Sequence, residues 1–128
     1  VLTLETYVSP SAEQMTRIQN MELDGPVVIV NLLRFHPDGG AEEFGKYSEA
    51  ASSHLQSSGA KLRYLGDIAA TLVGGAEETW DRIIMVEYPS KEAVLEMTGT
   101  SDYPGEIRGG ALLDSRVYCT QEPSRDSK

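Results

Sequence analysis

The chain predicts an α+β fold, with helices laid on one face of an antiparallel sheet. Three observations carry that prediction. Val27 to Phe35 is a near-continuous apolar run, too short and too β-branched for a helix, and reads as a central buried strand. Trp80 to Ser90 reads as a strand that Pro89 stops, followed by a helix that Ser90 caps. Helix-period stretches separate these segments from their neighbours. Leaving the N-terminal segment aside, the element order is β-α-β-β-α-β.

The 128 residues fit one domain with enough chain for a real core. A net charge of −9 argues against nucleic acid and anionic membrane surfaces as partners, because both are bound mostly through Lys and Arg. No apolar run is long enough to cross a bilayer as a helix. Val1 to Glu5 places no basic segment before an apolar stretch, so no signal peptide is expected. Cys119 is alone and can form no internal disulfide. A cytoplasmic location is the expectation from these facts.

Leu2 to Val8 alternates apolar and polar residues, as an edge strand or extended arm would, so residues 1–8 are read as an N-terminal arm. Ser9-Pro10-Ser11 starts a helix with Ser9 or Ser11 as its cap, and Met15 and Ile18 mark its apolar stripe. Leu23-Asp24-Gly25-Pro26 ends it with turn chemistry. In the Val27 to Phe35 strand, Asn31 shares a face with Val27, Ile29 and Leu33, and Arg34 shares the other with Val28, Val30 and Leu32. His36 to Gly40 is a loop.

Ala41 to Ser58 is the longest helix, with Phe44, Tyr47 or Ser48, Ala51 and Leu55 on one stripe and Gly59 where a C′ glycine belongs. Leu62 to Val73 is expected as a long second strand bent at Gly66, and Gly74 to Glu78 as a turn. Arg82 to Tyr88 follows, with Ile83, Met85 and Glu87 on one face and Ile84, Val86 and Tyr88 on the other. Lys91 to Met97 has helical spacing, Gly99 to Gly105 is irregular, and Glu106 to Ala111 suits one helical turn. Leu112 to Thr120 is the last strand, and residues 121–128 form a polar, flexible tail.

This order is the ferredoxin-like split βαβ arrangement with an added N-terminal helix. Its helices cover one sheet face and leave the other bare. A bare apolar face of several hundred Å² is an association site, so a homodimer with facing sheets is expected.

Three blocks then resemble a known family. They are Asp24-Gly25-Pro26 with Asn31 to Phe35, Trp80-Asp81 with Val86 to Ser90, and Arg108 with Ala111-Leu112 and Asp114-Ser115-Arg116. From Ser9 to Thr120, in this order, the chain resembles the DUF1330 family, small bacterial proteins of the dimeric α+β barrel superfamily. The resemblance implies the ferredoxin-like dimer and supplies no reaction. Relatives in the superfamily include cofactor-free monooxygenases, cyclases, decarboxylases and stress-related binding proteins. Ile107 stands where the family usually has a His before the arginine, and the Tyr103 to Arg108 stretch is shorter than usual.

Glu87 shares its face with large apolar side chains, so it must be paired, wet or protonated. It is the candidate catalytic base, or else half of an ion pair with an arginine, most simply Arg34 or Arg108. Arg34, Arg108 and Arg116 are candidate anion clamps, with structural salt bridges the alternative for Arg116 and Arg34. Asn31 must satisfy its amide, through a ligand or a neighbouring loop. Tyr47 and Tyr103 can offer hydroxyls to a pocket, or be core tyrosines with a satisfied OH. His36, His54 and Cys119 sit in no metal-ligand spacing, so neither metal nor cofactor is expected.

The function read from these residues is a small-molecule-binding homodimer, anionic ligands included, with three alternatives kept open. One is a cofactor-free enzyme doing acid–base chemistry through Glu87, with Arg108 holding an anion and Asn31 and Tyr103 positioning the substrate. The second is a non-catalytic ligand-binding or stress-related dimer, and the third is a purely structural dimerisation module.

Overall fold

The structure is a computed structural model and describes residues 5–123. The sheet is antiparallel, in the order β2-β3-β1-β4. Its strands are β1 (Val27–Phe35), β2 (Lys61–Asp67), β3 (Arg82–Tyr88) and β4 (Leu112–Thr120). The helices are α1 (Ala12–Asn20), α2 (Gly40–Ser58), α3 (Lys91–Gly99) and α4 (Gly105–Ala111). This is the α+β, ferredoxin-like arrangement with an added N-terminal helix.

Alternation along β1 decides where the core sits. Val27 and Leu33 are fully buried, and Ile29 lies between them on the same face. Leu33 packs with Phe44, Ala111 and Leu112, and Val27 packs with Tyr88 and Met97. The core therefore lies between one sheet face and helices α2, α3 and α4. The register pairs Val28 with Glu87, Val30 with Met85 and Leu32 with Ile83 on the opposite, helix-free face.

Local chemistry ends the elements. Ser11, not Ser9, caps α1 in a capping box with Gln14. Gly59 ends α2 at φ 79°, in the left-handed region that glycine enters without steric cost. At Gly40 a Cβ would come within 2.6 Å of the Ala111 carbonyl oxygen, so only glycine lets α2 begin against the end of α4. α4 starts at Gly105 and runs longer than the single turn expected.

The second strand is shorter than the sequence suggests. It stops at Asp67, which pairs with Arg82, the first residue of β3. Ile68 N–H donates to the Asp81 carbonyl at 2.9 Å, and the chain then leaves the sheet. Leu72 and Val73 are β-formers by type, yet they are 96% and 97% exposed, with no strand among the described residues opposite them. The ladder irregularity falls between Leu62 and Tyr64 rather than at Gly66.

Two buried charges tie outlying segments to this body. Lys91 is buried, and its ammonium donates to the carbonyls of Ile18 and Gln19 at 2.9 Å and to that of Met21. A cation there satisfies the orphan carbonyls at the end of α1, a helix with no buried residue of its own. Asp114 accepts from the Tyr7 and Ser115 amides at 2.8 and 2.9 Å and from Arg116 at 2.7 Å. Ser115 Oγ donates to the Tyr7 carbonyl. Within the N-terminal arm, residues 1–4 lie outside the described residues, and Glu5 to Val8 joins no strand among the described residues and bends at Val8. In the tail, residues 124–128 also lie outside, and Gln121 donates to the Asp24 carbonyl at 2.8 Å.

Burial pushes the Asp114 carboxyl up, but its hydrogen bonds and the Arg116 charge outweigh that and hold it below the usual aspartate value. A depressed folded pKa stabilises the fold above the unfolded value, near pH ~4, and that contribution is lost as pH falls through the folded one. Urea titrations should show Asp114→Ala roughly 3 kcal/mol less stable than the parent at neutral pH, with the gap narrowing under acid.

Candidate functional site

On the helix-covered face of β1, Asn31 is the polar residue in an otherwise apolar row. Its amide donates to the Ile84 carbonyl at 3.3 Å, and its Oδ1 accepts from Arg108 Nη2 at 3.2 Å. α4 delivers Arg108 from above, and Nη1 donates to the Val8 carbonyl at 3.4 Å. The N-terminal arm and the sheet thus meet on one guanidinium.

Helix α2 adds Tyr47, whose hydroxyl is hydrogen-bonded to that of Tyr103 in the loop before α4. The two rings meet edge to face at 6.0 Å, and His54 meets Tyr103 the same way at 5.9 Å. Phe44 closes the row at 5.2 Å from Tyr47. Tyr88 comes up from β3, with 5% of its surface exposed.

The charge states follow from burial. Desolvation, joined by Tyr103, pushes the Tyr47 phenol far above the usual tyrosine value. Burial, with Tyr103 next, pushes Tyr88 up to about 12, and Arg108 pulls both back only in part. Both hydroxyls are therefore protonated donors at neutral pH, standing beside a permanent cation.

Four of the six sequence candidates meet here: Asn31, Tyr47, Tyr103 and Arg108. Tyr88 was not singled out by sequence, although its alternation with Ile84 and Val86 already placed it on this face. Glu87 and Arg34 lie on the opposite sheet face. Glu87 pairs with neither Arg34 nor Arg108 but with Arg63 of β2, at 3.7 Å, and Arg63 is 56% exposed. Its neighbours on that strand face are apolar, and the next strand supplies the cation. Arg34 donates to the Thr79 carbonyl at 2.6 and 2.9 Å, stands 3.9 Å from Asp114 and lies over the Trp80 ring. Arg116 covers the same ring and the Tyr7 ring. These contacts pin loops. Asp81 does likewise, accepting from the Phe35 amide at 2.8 Å.

Among the described residues, no group of three His, Cys, Asp or Glu side chains is placed to hold a metal. No helix among them is long and apolar enough to cross a membrane. A surface groove of about 530 Å³ lies away from the tyrosines, lined by His36, Asp38, Glu43 and Leu113.

No family model and no curated protein matches the chain. Solved structures do. RPA0582, a protein of unknown function from Rhodopseudomonas palustris, is similar at TM-score 0.86 and 26% identity, covering 94% of this chain and 99% of that one. A dabb family protein with a ferredoxin-like fold from Mesorhizobium loti gives TM-score 0.57 and 8% identity, over 79% of this chain and 100% of that one. A dimeric protein of unknown function with a ferredoxin-like fold from Bacteroides fragilis gives 0.53 and 13%, over 76% and 96%. The fold of this chain is therefore ferredoxin-like, of the kind seen in these neighbours.

The pairing of Glu87 with a half-exposed arginine sets a small cost for its loss. Glu87→Gln should change unfolding free energy by less than about 1 kcal/mol in urea titrations. The raised tyrosines have the opposite pH sense from Asp114. A folded pKa above the unfolded value near ~10 stabilises below that pH, and the contribution is lost as pH rises toward about 12. Phenolate absorbance should show Tyr88 ionising later than the exposed tyrosines, and Tyr88→Phe should flatten the alkaline loss of stability.

Proposed function

We propose that the protein is a DUF1330-like homodimer that binds a small organic ligand between its sheet and its helices. The observation that carries this reading is the gathering of the Tyr47, Tyr88 and Tyr103 hydroxyls with Asn31 and Arg108 in an otherwise apolar layer. Polar donors grouped against aromatic walls are how proteins orient small molecules. Arg108 holds an electron-rich ligand group, Asn31 fixes the guanidinium, and Tyr103 positions the ligand from the loop.

Ligand binding without chemistry is favoured over catalysis by Glu87, because that carboxylate opens on the far face of the sheet. Acid–base chemistry at this site, if the ligand undergoes any, falls to the tyrosines and His54.

The dimer is supported by the helix-free face. Val28, Val30, Leu32, Ile83 and Met85 lie there, with Tyr64 and Tyr118 about half exposed beside them. The Bacteroides fragilis neighbour is a dimer. Two sheets meeting on this face would bury the apolar row.

Sedimentation at micromolar concentration should give twice the chain mass, and Val30→Glu should give a monomer. A monomeric parent would overturn the dimer. For the site, fragment screening by amide NMR should perturb Asn31, Tyr47, Tyr103 and Arg108 together. Arg108→Gln should weaken the binding at least about tenfold, the loss expected for one charge-assisted contact.

A further inference from the structure

The loop between β2 and β3 carries large apolar side chains that its own chain leaves uncovered. Residues 69–79 are exposed without a break, and Leu72 and Val73 stand almost wholly in solvent. An exposed leucine by itself is ordinary, so the placing of this pair matters more than its exposure.

The stem of the loop is fixed, and the fixing shows which side it serves. Arg34 projects from the bare face of β1, with Val28, Val30 and Leu32. Its guanidinium donates to the Thr79 carbonyl and, at 3.2 Å, to the Glu77 carbonyl, and it lies over the Trp80 ring. The loop therefore returns to β3 on the bare side of the sheet, the side assigned above to the dimer. Val73 is six residues beyond Asp67, the end of β2, and six extended residues span up to about 20 Å. Two sheets stacked face to face lie about 10 Å apart. The loop is long enough to cross that gap and pass the edge of a facing sheet.

That edge is β2, which is exposed along nearly its whole length and has no outer neighbour among the described residues. Register puts Tyr64 opposite Met85 on the bare face, and Leu62 and Leu65 opposite Val86 and Ile84 on the helix side. Leu62 is 62% exposed, Tyr64 55% and Leu65 49%. Two sheets laid flat against each other cover Tyr64 and miss both leucines. Apolar side chains around an unpaired strand edge are a ready site for association.

Charge selects what covers them. With a net charge of −9, two copies repel unless opposite charges meet locally. Lys61 and Arg63 flank Leu62 on β2, and the loop carries Glu77 and Glu78 beyond its apolar pair. Lys61, Glu77 and Glu78 form no ion pair among the described residues. A two-fold axis running across the strands lays the two β2 strands over each other in opposite directions, and so brings each loop to the Lys61 end of the other strand.

We infer that in the homodimer the β2–β3 loop of each protomer clasps the other, seating Leu72 and Val73 around the partner's Leu62, the partner's Tyr64 and the partner's Leu65, with Glu77 and Glu78 toward the partner's Lys61. The inference rests on the bare-face dimer proposed above and adds the element that closes it.

The test is sedimentation equilibrium of the full chain over a range of concentrations. Leu72→Asp with Val73→Asp alters side chains that already stand in solvent in the single chain, so circular dichroism should stay native. The dimer Kd should rise at least about a hundredfold, because the two-fold repeats each loss. Glu77→Lys with Glu78→Lys should raise it about tenfold, and adding Lys61→Glu should restore it. Amides of residues 69–79 should exchange slowly in the parent and fast in Val30→Glu, which lacks the bare-face contact. A triple charge variant as weak as the double one would overturn the pairing of loop with β2. A dimer unchanged by Leu72→Asp with Val73→Asp would overturn the clasp and leave the bare-face dimer standing. So would loop amides that exchange alike in the parent and in Val30→Glu: slow in both seats the loop on its own chain, and fast in both leaves it for a different partner. A monomeric parent overturns the clasp and the dimer together.

Discussion

The pleat of β1 divides this molecule. Successive side chains of a strand point to opposite faces, so Asn31 and Arg34, three residues apart, belong to different surfaces. Its neighbours in the sheet inherit the division through register: Val27 stands opposite Tyr88, and Val28 opposite Glu87. A slip of β1 by one residue would exchange its own two faces and take Asn31 away from the tyrosines. Fully buried Val27 and Leu33 make that slip costly, because it would carry both out of the core.

Each face then has its own polar chemistry. On the bare side, charges are matched by charges or carbonyls: Glu87 by Arg63, Asp114 by Arg116 and backbone amides, Arg34 by the Thr79 carbonyl. On the helix side, donors gather without a carboxylate. Burial raises the tyrosines and keeps their protons in place, while Arg108 stands beside them as the guanidinium of the cluster. A structural ion pair satisfies itself, whereas a surplus of donors invites an acceptor from outside. That difference is why the two polar groups are read differently.

The order of elements, the central strand and the pleat faces were legible in the sequence, because hydrophobic period and breaker residues are local signals. Asn31, Tyr47, Tyr103 and Arg108 were also legible as polar groups near apolar stripes. Glu87 drew attention for a sound local reason, its apolar neighbours Ile83 and Met85, but the cation that answers it comes from a strand more than twenty residues away in sequence. The end of β2 was misplaced for a similar reason. Leu72 and Val73 have strand-forming side chains, and only the start of β3 at Arg82 shows that nothing lies opposite them.

By itself the sequence determined which residues alternate, where helices begin and end, and so which class of fold the chain adopts. Those choices depend on steric preferences and hydrogen bonds within a few residues. The tertiary structure alone decided which face the helices cover, and with it which polar residues meet. Pairing β1 with β3 and laying α2 and α4 over one side brings Tyr47, Tyr88, Tyr103 and Arg108 together from four separate elements. No local rule encodes that meeting, because it arises from burying one apolar face as a whole.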